Sequence, residues 1–409
     1  GPVHQLVATT DFIYTGGYMH DDNYLIGDFN LNGSTLVLNN VAINTTGTVL
    51  YNGTIEGNFE IMGLFDVNKH ATDTLRMVGN VTVTDTLQAQ EYGGGLGIQE
   101  LLIEGNLENN GWIKDHEDTE NGDELNILVT GNITNNGKWT CMHVNFIGDE
   151  AQYIQQSQGT EFVSHFYDLL ETSPVIAQTD LTIQQNFDLN GATLKMEGYK
   201  LTMGGWLYDG TIDNATLHGG MLQNLTSLDD LNIEGKVTCD NGVVFHNSVE
   251  VTDTLQSNEY GGGSTFFEVY VEGDIVNNGV IQDYNSGDKL RLIISGNVIN
   301  NGAWNHAETV LNGDTDQQLS MSTGAWFGGN FISQKASGNL VATGDLRFKG
   351  NINLSDATFK MDGYRITMGN MLQNGLIENT ILQGGLIKNM TCTESLTIEG
   401  LVTCDHDNI

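Results

Sequence analysis

Basic residues are scarce in this sequence. Fifteen Lys and Arg stand against 52 Asp and Glu in 409 residues, a net charge of −37. Such a surface gains nothing by displacing the counterions of a nucleic acid or by approaching an anionic bilayer, so neither is an expected partner. Proline is nearly absent at 2 residues, whereas glycine reaches 51. That pairing suits a chain that turns often yet keeps its backbone N–H groups for hydrogen-bond ladders. The four cysteines (Cys141, Cys239, Cys392, Cys404) form no Cys-x-x-Cys pair and are too few for a disulfide scaffold. Most read as small buried residues; only Cys392 and Cys404 are close enough in sequence to suggest a bridge. No apolar run approaches the roughly 20 residues that cross a bilayer as a helix.

What the sequence has is internal repetition. Val83-Thr-Asp-Thr-Leu-Gln-Ala-Gln-Glu-Tyr92 returns as Val251-Thr-Asp-Thr-Leu-Gln-Ser-Asn-Glu-Tyr260. Leu194-Lys-Met-Glu-Gly-Tyr199 returns as Phe359-Lys-Met-Asp-Gly-Tyr364, and Ile233-Glu-Gly-Lys-Val-Thr-Cys239 as Ile398-Glu-Gly-Leu-Val-Thr-Cys404. The long period is about 165 residues. It divides the chain into super-repeats of approximately 1–82 (partial), 83–250 and 251–409 (truncated). One continuous domain over 1–409 is expected, a fragment of a longer protein, with Gly1-Pro2 having the form of a tag scar.

A shorter unit recurs inside the long one: Ile103-Glu-Gly-Asn-Leu-Glu-Asn109-Asn110-Gly111-Trp112, Val129-Thr-Gly-Asn-Ile-Thr-Asn135-Asn136-Gly137-Lys-Trp139, and their counterparts ending at Asn277-Asn278-Gly279 and Asn300-Asn301-Gly302-Ala-Trp304. Alternating β-branched stretches bounded by Asn and Gly read as short strands. A strand that short cannot bury a face alone, whereas stacking equivalents coil on coil makes parallel sheets around one core. The expected fold is all-β, a right-handed parallel β-helix. Stacking in register predicts side-chain ladders pairing Asn110 with Asn136 and Asn278 with Asn301. Asn-Asn-Gly is expected to supply left-handed turn residues, and Trp112, Trp139 and Trp304 to stack just beyond. Only Gln152 to Leu170 could be argued as helical. β-Sandwich domains are the rival, but they would predict linkers and hairpin spacing that are not seen.

These Gly-Asn-φ-x-Asn-Asn-Gly units, which cover most of the chain, resemble those of repetitive right-handed β-helix surface proteins of bacteria, especially large secreted adhesin-like proteins of the Bacteroidota. The resemblance implies a secreted or cell-surface location and a structural or adhesive role. Expected partners are further copies or flanking domains of the same protein, and a cell-surface glycan or protein.

Catalysis finds little support in the sequence. There is no Gly-x-Ser-x-Gly elbow, no His-Glu-x-x-His and no phosphate-cradling loop. The few arginines (Arg76, Arg291, Arg347, Arg365) sit in no lyase-like acidic motif, and Asp21-Asp22 and Asp229-Asp230 lack the motifs of a polygalacturonase. The alternative function is a polysaccharide-binding or polysaccharide-cleaving β-helix. Its aromatic platform would draw on Trp206, Tyr208 and Trp326, for which interior stacking is the preferred reading. His4, His20, His70, His116 and His143 share no metal-ligand spacing. The best cation candidates are two acidic insertions, with Asp115, Asp118 and Asp123 in one and Asp283, Asn285 and Asp288 in the other. Oxygen ligands crowded around a Gly turn suit Ca²⁺, though no cofactor is required, and a merely solvated loop is the favoured alternative.

Overall fold

The computed structural model describes residues 6–7, 12–14, 27–31, 33–38, 48–67, 74–89, 97–116, 123–167, 173–259, 265–284 and 288–405. Among them every assigned element of regular structure is a β-strand. The chain divides into two units, Gly1–Gly210 and Thr211–Ile409, and each is a parallel β-helix.

In the first unit one turn of the helix comprises three strands, and each pairs in parallel with the strand one turn further on. Val81 faces Leu107, which faces Ile133. Leu87 faces Ile113, which faces Trp139. Leu101 faces Ile127, which faces Val144. Three columns of strands therefore enclose one core, and alternate residues of each strand point into it. Leu101, Ile103, Ile113, Ile127 and Ile133 are all 0% exposed. Aromatic rings stack along the axis, with Phe146 lying 5.8 Å from Phe166 and Phe166 5.1 Å from Phe187.

The second unit repeats the scheme. Val249, Ile275, Val298 and Leu319 form one column, and Leu255, Ile281, Trp304 and Phe327 another. Its turns differ in length, from the 26 residues between Val251 and Asn277 to the 15 between Leu376 and Thr391. The short turns have no room for loops and bend at single residues in the left-handed region. Asn374 (φ 58°), Asn379 (φ 46°) and Asn389 (φ 51°) make these corners. Asparagine tolerates that conformation because its side chain bonds locally; Asn389 donates to Asn374 Oδ1 at 3.1 Å.

The Asn-Asn-Gly turns work differently from expectation. None of their residues has a positive φ among those that do. Glycine is needed there for close approach: a Cβ on Gly137 would lie 2.2 Å from the Gly111 carbonyl oxygen, and one on Gly302 2.0 Å from that of Gly279. The expected ladder is present, with Asn136 donating to Asn110 and Asn301 to Asn278, both at 2.9 Å. A second ladder runs inside it. Asn109 is fully buried and donates to Asn135 Oδ1 and the Lys138 carbonyl at 2.9 Å, while its own Oδ1 accepts from Gly111 N at 3.1 Å. Asn277 makes the same three bonds to Asn300, Ala303 and Gly279.

Other expectations are corrected. The stretch read as helical contains strands Gln152–Gln156 and His165–Tyr167. The tryptophans do not stack on one another. Trp139 and Trp304 are buried and meet Phe162 and Phe327 edge-on at 5.2 and 5.4 Å. Trp112 sits one residue closer to its glycine than Trp139 does, and a one-residue shift in a strand turns a side chain to the opposite face. It lies on the outside with the ammonium groups of Lys114 and Lys138 over its ring, 4.3 and 3.8 Å from the centroid. Cys141 and Cys239 are buried, but Cys392 and Cys404 are exposed and all four thiols are free.

Candidate functional site

The acidic insertions are anchored at their edges by two recurring carboxylates. Asp115 Oδ1 accepts from Leu125 N at 2.7 Å and Met142 N at 3.2 Å, tying its loop to the next coil. Asp283 accepts in the same way from Leu290 N at 2.7 Å and Ala307 N at 3.1 Å. Burial pushes both carboxyl groups above the usual carboxylate range, against the lowering effect of these amides. Asp123 is buried and accepts from Gly97 N at 3.0 Å, and Asp288 is buried at the corresponding position. Asp118 and Asn285 lie outside the described residues. Each of the acids Asp115, Asp123 and Asp283 thus has an oxygen committed to backbone amides. Among the described residues no three His, Cys, Asp or Glu side chains converge as a metal centre.

The arginines considered as catalytic bases are held by surface partners. Arg76 is bidentate to Glu104 at 2.8 and 2.6 Å. Arg291 bridges Glu268 and Glu308 at 2.8 and 2.6 Å, holding Glu268 below the usual carboxylate range. Arg365 pairs with Asp345 and Glu399, and Arg347 lies 5.8 Å over Trp326. Of the acidic pairs, Asp230 accepts from Ser248 N at 3.0 Å; Asp21 and Asp22 lie outside the described residues, as do His4, His20 and His70. Trp206, Tyr208 and Trp326 are half-buried on outer faces, not stacked inside.

One chemically distinct face escaped the sequence reading. Across two adjacent coils of the first unit, His143, His165 and Tyr167 form a ring cluster with centroids 5.5–6.2 Å apart. Glu124 anchors it at 3.0 Å from His143 Nε2. Partial burial, then the neighbouring His143, holds His165 below the ordinary imidazole value, while burial beside Asp188 pushes the Tyr208 phenol up to about 12. The signal was the register itself: these residues are 22 apart (143 to 165), one coil, and become neighbours only once the coil length is fixed.

Comparison with profiles of known protein families, with characterised proteins and with solved structures finds no match to this chain.

Proposed function

We propose that this chain is part of the structural and adhesive shaft of a large secreted or cell-surface repeat protein, built to assemble coil on coil into a fibre or appendage. The observation that carries this reading is the residue-for-residue return of the buried Asn109–Asn135 ladder as Asn277–Asn300. A stack of such turns is nearly one-dimensional, so repeating it adds length without adding chemistry. The low content of basic residues suits an external, well-solvated surface.

Coils are joined by parallel pairing of strand on strand, as Leu231–Ile233 lies beneath Val249–Val251, and a parallel edge of that pattern templates a further strand. The excess of acidic residues opposes packing of one copy against another unless salt screens it. Sedimentation velocity at about 0.15 M salt, where the Debye length is about 8 Å, and again at about 0.01 M, where it is about 30 Å, tests the assembly. Concentration-dependent self-association that weakens at the lower salt is expected. Strictly monomeric behaviour at both, or association that strengthens at low salt, would count against it.

A further inference from the structure

A groove of about 370 Å³ runs over the outside of the first unit along the column that contains Phe59–Ile61, Val81–Val83 and Leu107–Asn109. It continues as a second depression of about 240 Å³ that shares Asn106 and Glu108 and reaches Tyr153 and Gln155. Its two sides carry complementary chemistry at a one-coil interval. On one side stand Asn58, Asn80, Asn106 and Asn132. The Oδ1 of each is committed to the backbone N–H of the next coil, at 3.1, 3.0, 2.8 and 2.8 Å. A planar carboxamide held by its oxygen leaves its NH₂ as the group facing outward, so this side is a row of donors. On the other side Glu60, Thr82, Glu108, Thr134 and Gln155 follow one another in register, a row of carboxylates, hydroxyls and one amide. Tyr153, 37% exposed, adds a ring near one end.

We infer that this groove binds an extended, uncharged, hydroxyl-rich polysaccharide chain. A hydroxyl both donates and accepts, so each sugar can give a hydrogen bond to the carboxylate row and take one from the amide row. Coils rise about 4.8 Å each, close to the length of one sugar residue along an extended glycan, so both rows can be met repeatedly without distortion. The carboxylates and the −37 net charge exclude an anionic glycan. A peptide strand is disfavoured because the backbone beneath the groove is already paired coil to coil, leaving no edge to which it could add.

The second unit sharpens the point. The corresponding row there reads Glu250, Val276, Ile299 and Ser320, with Gln318 in place of Tyr153. The strand pairing is the same, but the two central polar positions, Glu108 and Thr134, are the apolar Val276 and Ile299, and the ring is lost. This inference deepens the adhesive half of the proposed function and rests on it for its setting. Binding is read by titration and assembly by sedimentation, so the two can fail independently.

The test is isothermal titration calorimetry of the full chain with cellohexaose, mannohexaose, xylohexaose and maltohexaose, and with the trimer of each. At least one hexamer should bind in preference to its trimer, with little change in 0.5 M NaCl. Glu108→Ala and Tyr153→Ala, both on exposed side chains, should each weaken binding about tenfold, as expected for one strong polar or stacking contact. Val276→Ala in the second unit should leave it unchanged, and circular dichroism of each variant should match that of the parent. No binding at millimolar hexamer would overturn the inference. So would binding indifferent to both groove variants, or binding confined to chitosan or galacturonate oligomers.

Discussion

The two units place different residues at equivalent points of the same coil, and the pattern of agreement is informative. Inside, the asparagine ladders coincide bond for bond, and the tryptophans Trp139 and Trp304 share their edge-on contacts. Beside those tryptophans the units part. The first places Cys141, whose sulfur lies 3.2 Å from Trp139 Nε1; the second places His306, whose Nε2 is 2.9 Å from the Thr309 hydroxyl that Trp304 also bonds. Outside they diverge further, with Glu108 and Thr134 against Val276 and Ile299. A parallel stack tolerates almost any outward residue but repeats a buried polar group only when its partners repeat as well. Variation between copies therefore concentrates where ligands could be met.

The largest effect should come from the shared interior. Asn109→Ala takes a donor from the buried Asn135 Oδ1 and strands the Gly111 N–H and the Lys138 carbonyl in a half-buried turn, at a cost of about 2–4 kcal/mol. Asn277→Ala should cost the same within error in urea unfolding, since its bonds are the same. Unequal losses would break the equivalence of the units.

Acid should separate them. Burial pushes the His306 imidazole down to about 3, so the folded state holds it neutral while the unfolded chain takes up a proton near its ordinary value of 6.5. Stability is thus lost as pH falls from 6.5 towards 3, by about 3 kcal/mol at pH 4. Cys141, pushed up to about 12, binds its proton throughout this range and contributes no such slope. Hydrogen exchange at pH 4 should show the strands around His306 opening before those around Cys141, and His306→Cys should abolish the difference.

The acid-anchored loops should respond more weakly and alike. Asp115→Asn and Asp283→Asn each replace a carboxylate that accepts two backbone amides, for a loss of about 1 kcal/mol. Melting curves in EDTA and in calcium should show that loss equally; a loss seen only in calcium would make Asp115 a metal ligand. Smallest of all, Trp112→Ala removes an outward ring between two lysines and should cost about 0.5–1 kcal/mol.

Much of the stack was legible from spacing alone. The return of Asn110 as Asn136 and of Asn278 as Asn301 led to a ladder that the structure contains. The deeper ladder through Asn109 was not legible, because asparagine next to asparagine gives no sign of which one faces inward; the strand pleat decides it. Trp112 was misplaced for the same reason, a single residue of offset. The groove and the His143–His165–Tyr167 cluster needed more than a pattern. Their members lie a coil apart, and coil length varies from 26 residues to 15, so no fixed sequence interval brings them together.

Immunogold electron microscopy of cells producing the intact protein bears most directly on the proposed role. Gold should decorate filaments or a continuous layer outside the cell, at sites distributed along their length, and label should persist on intact cells until external protease is added. Label confined to the cell interior, or gold released entirely as single soluble particles, would contradict a shaft built coil on coil.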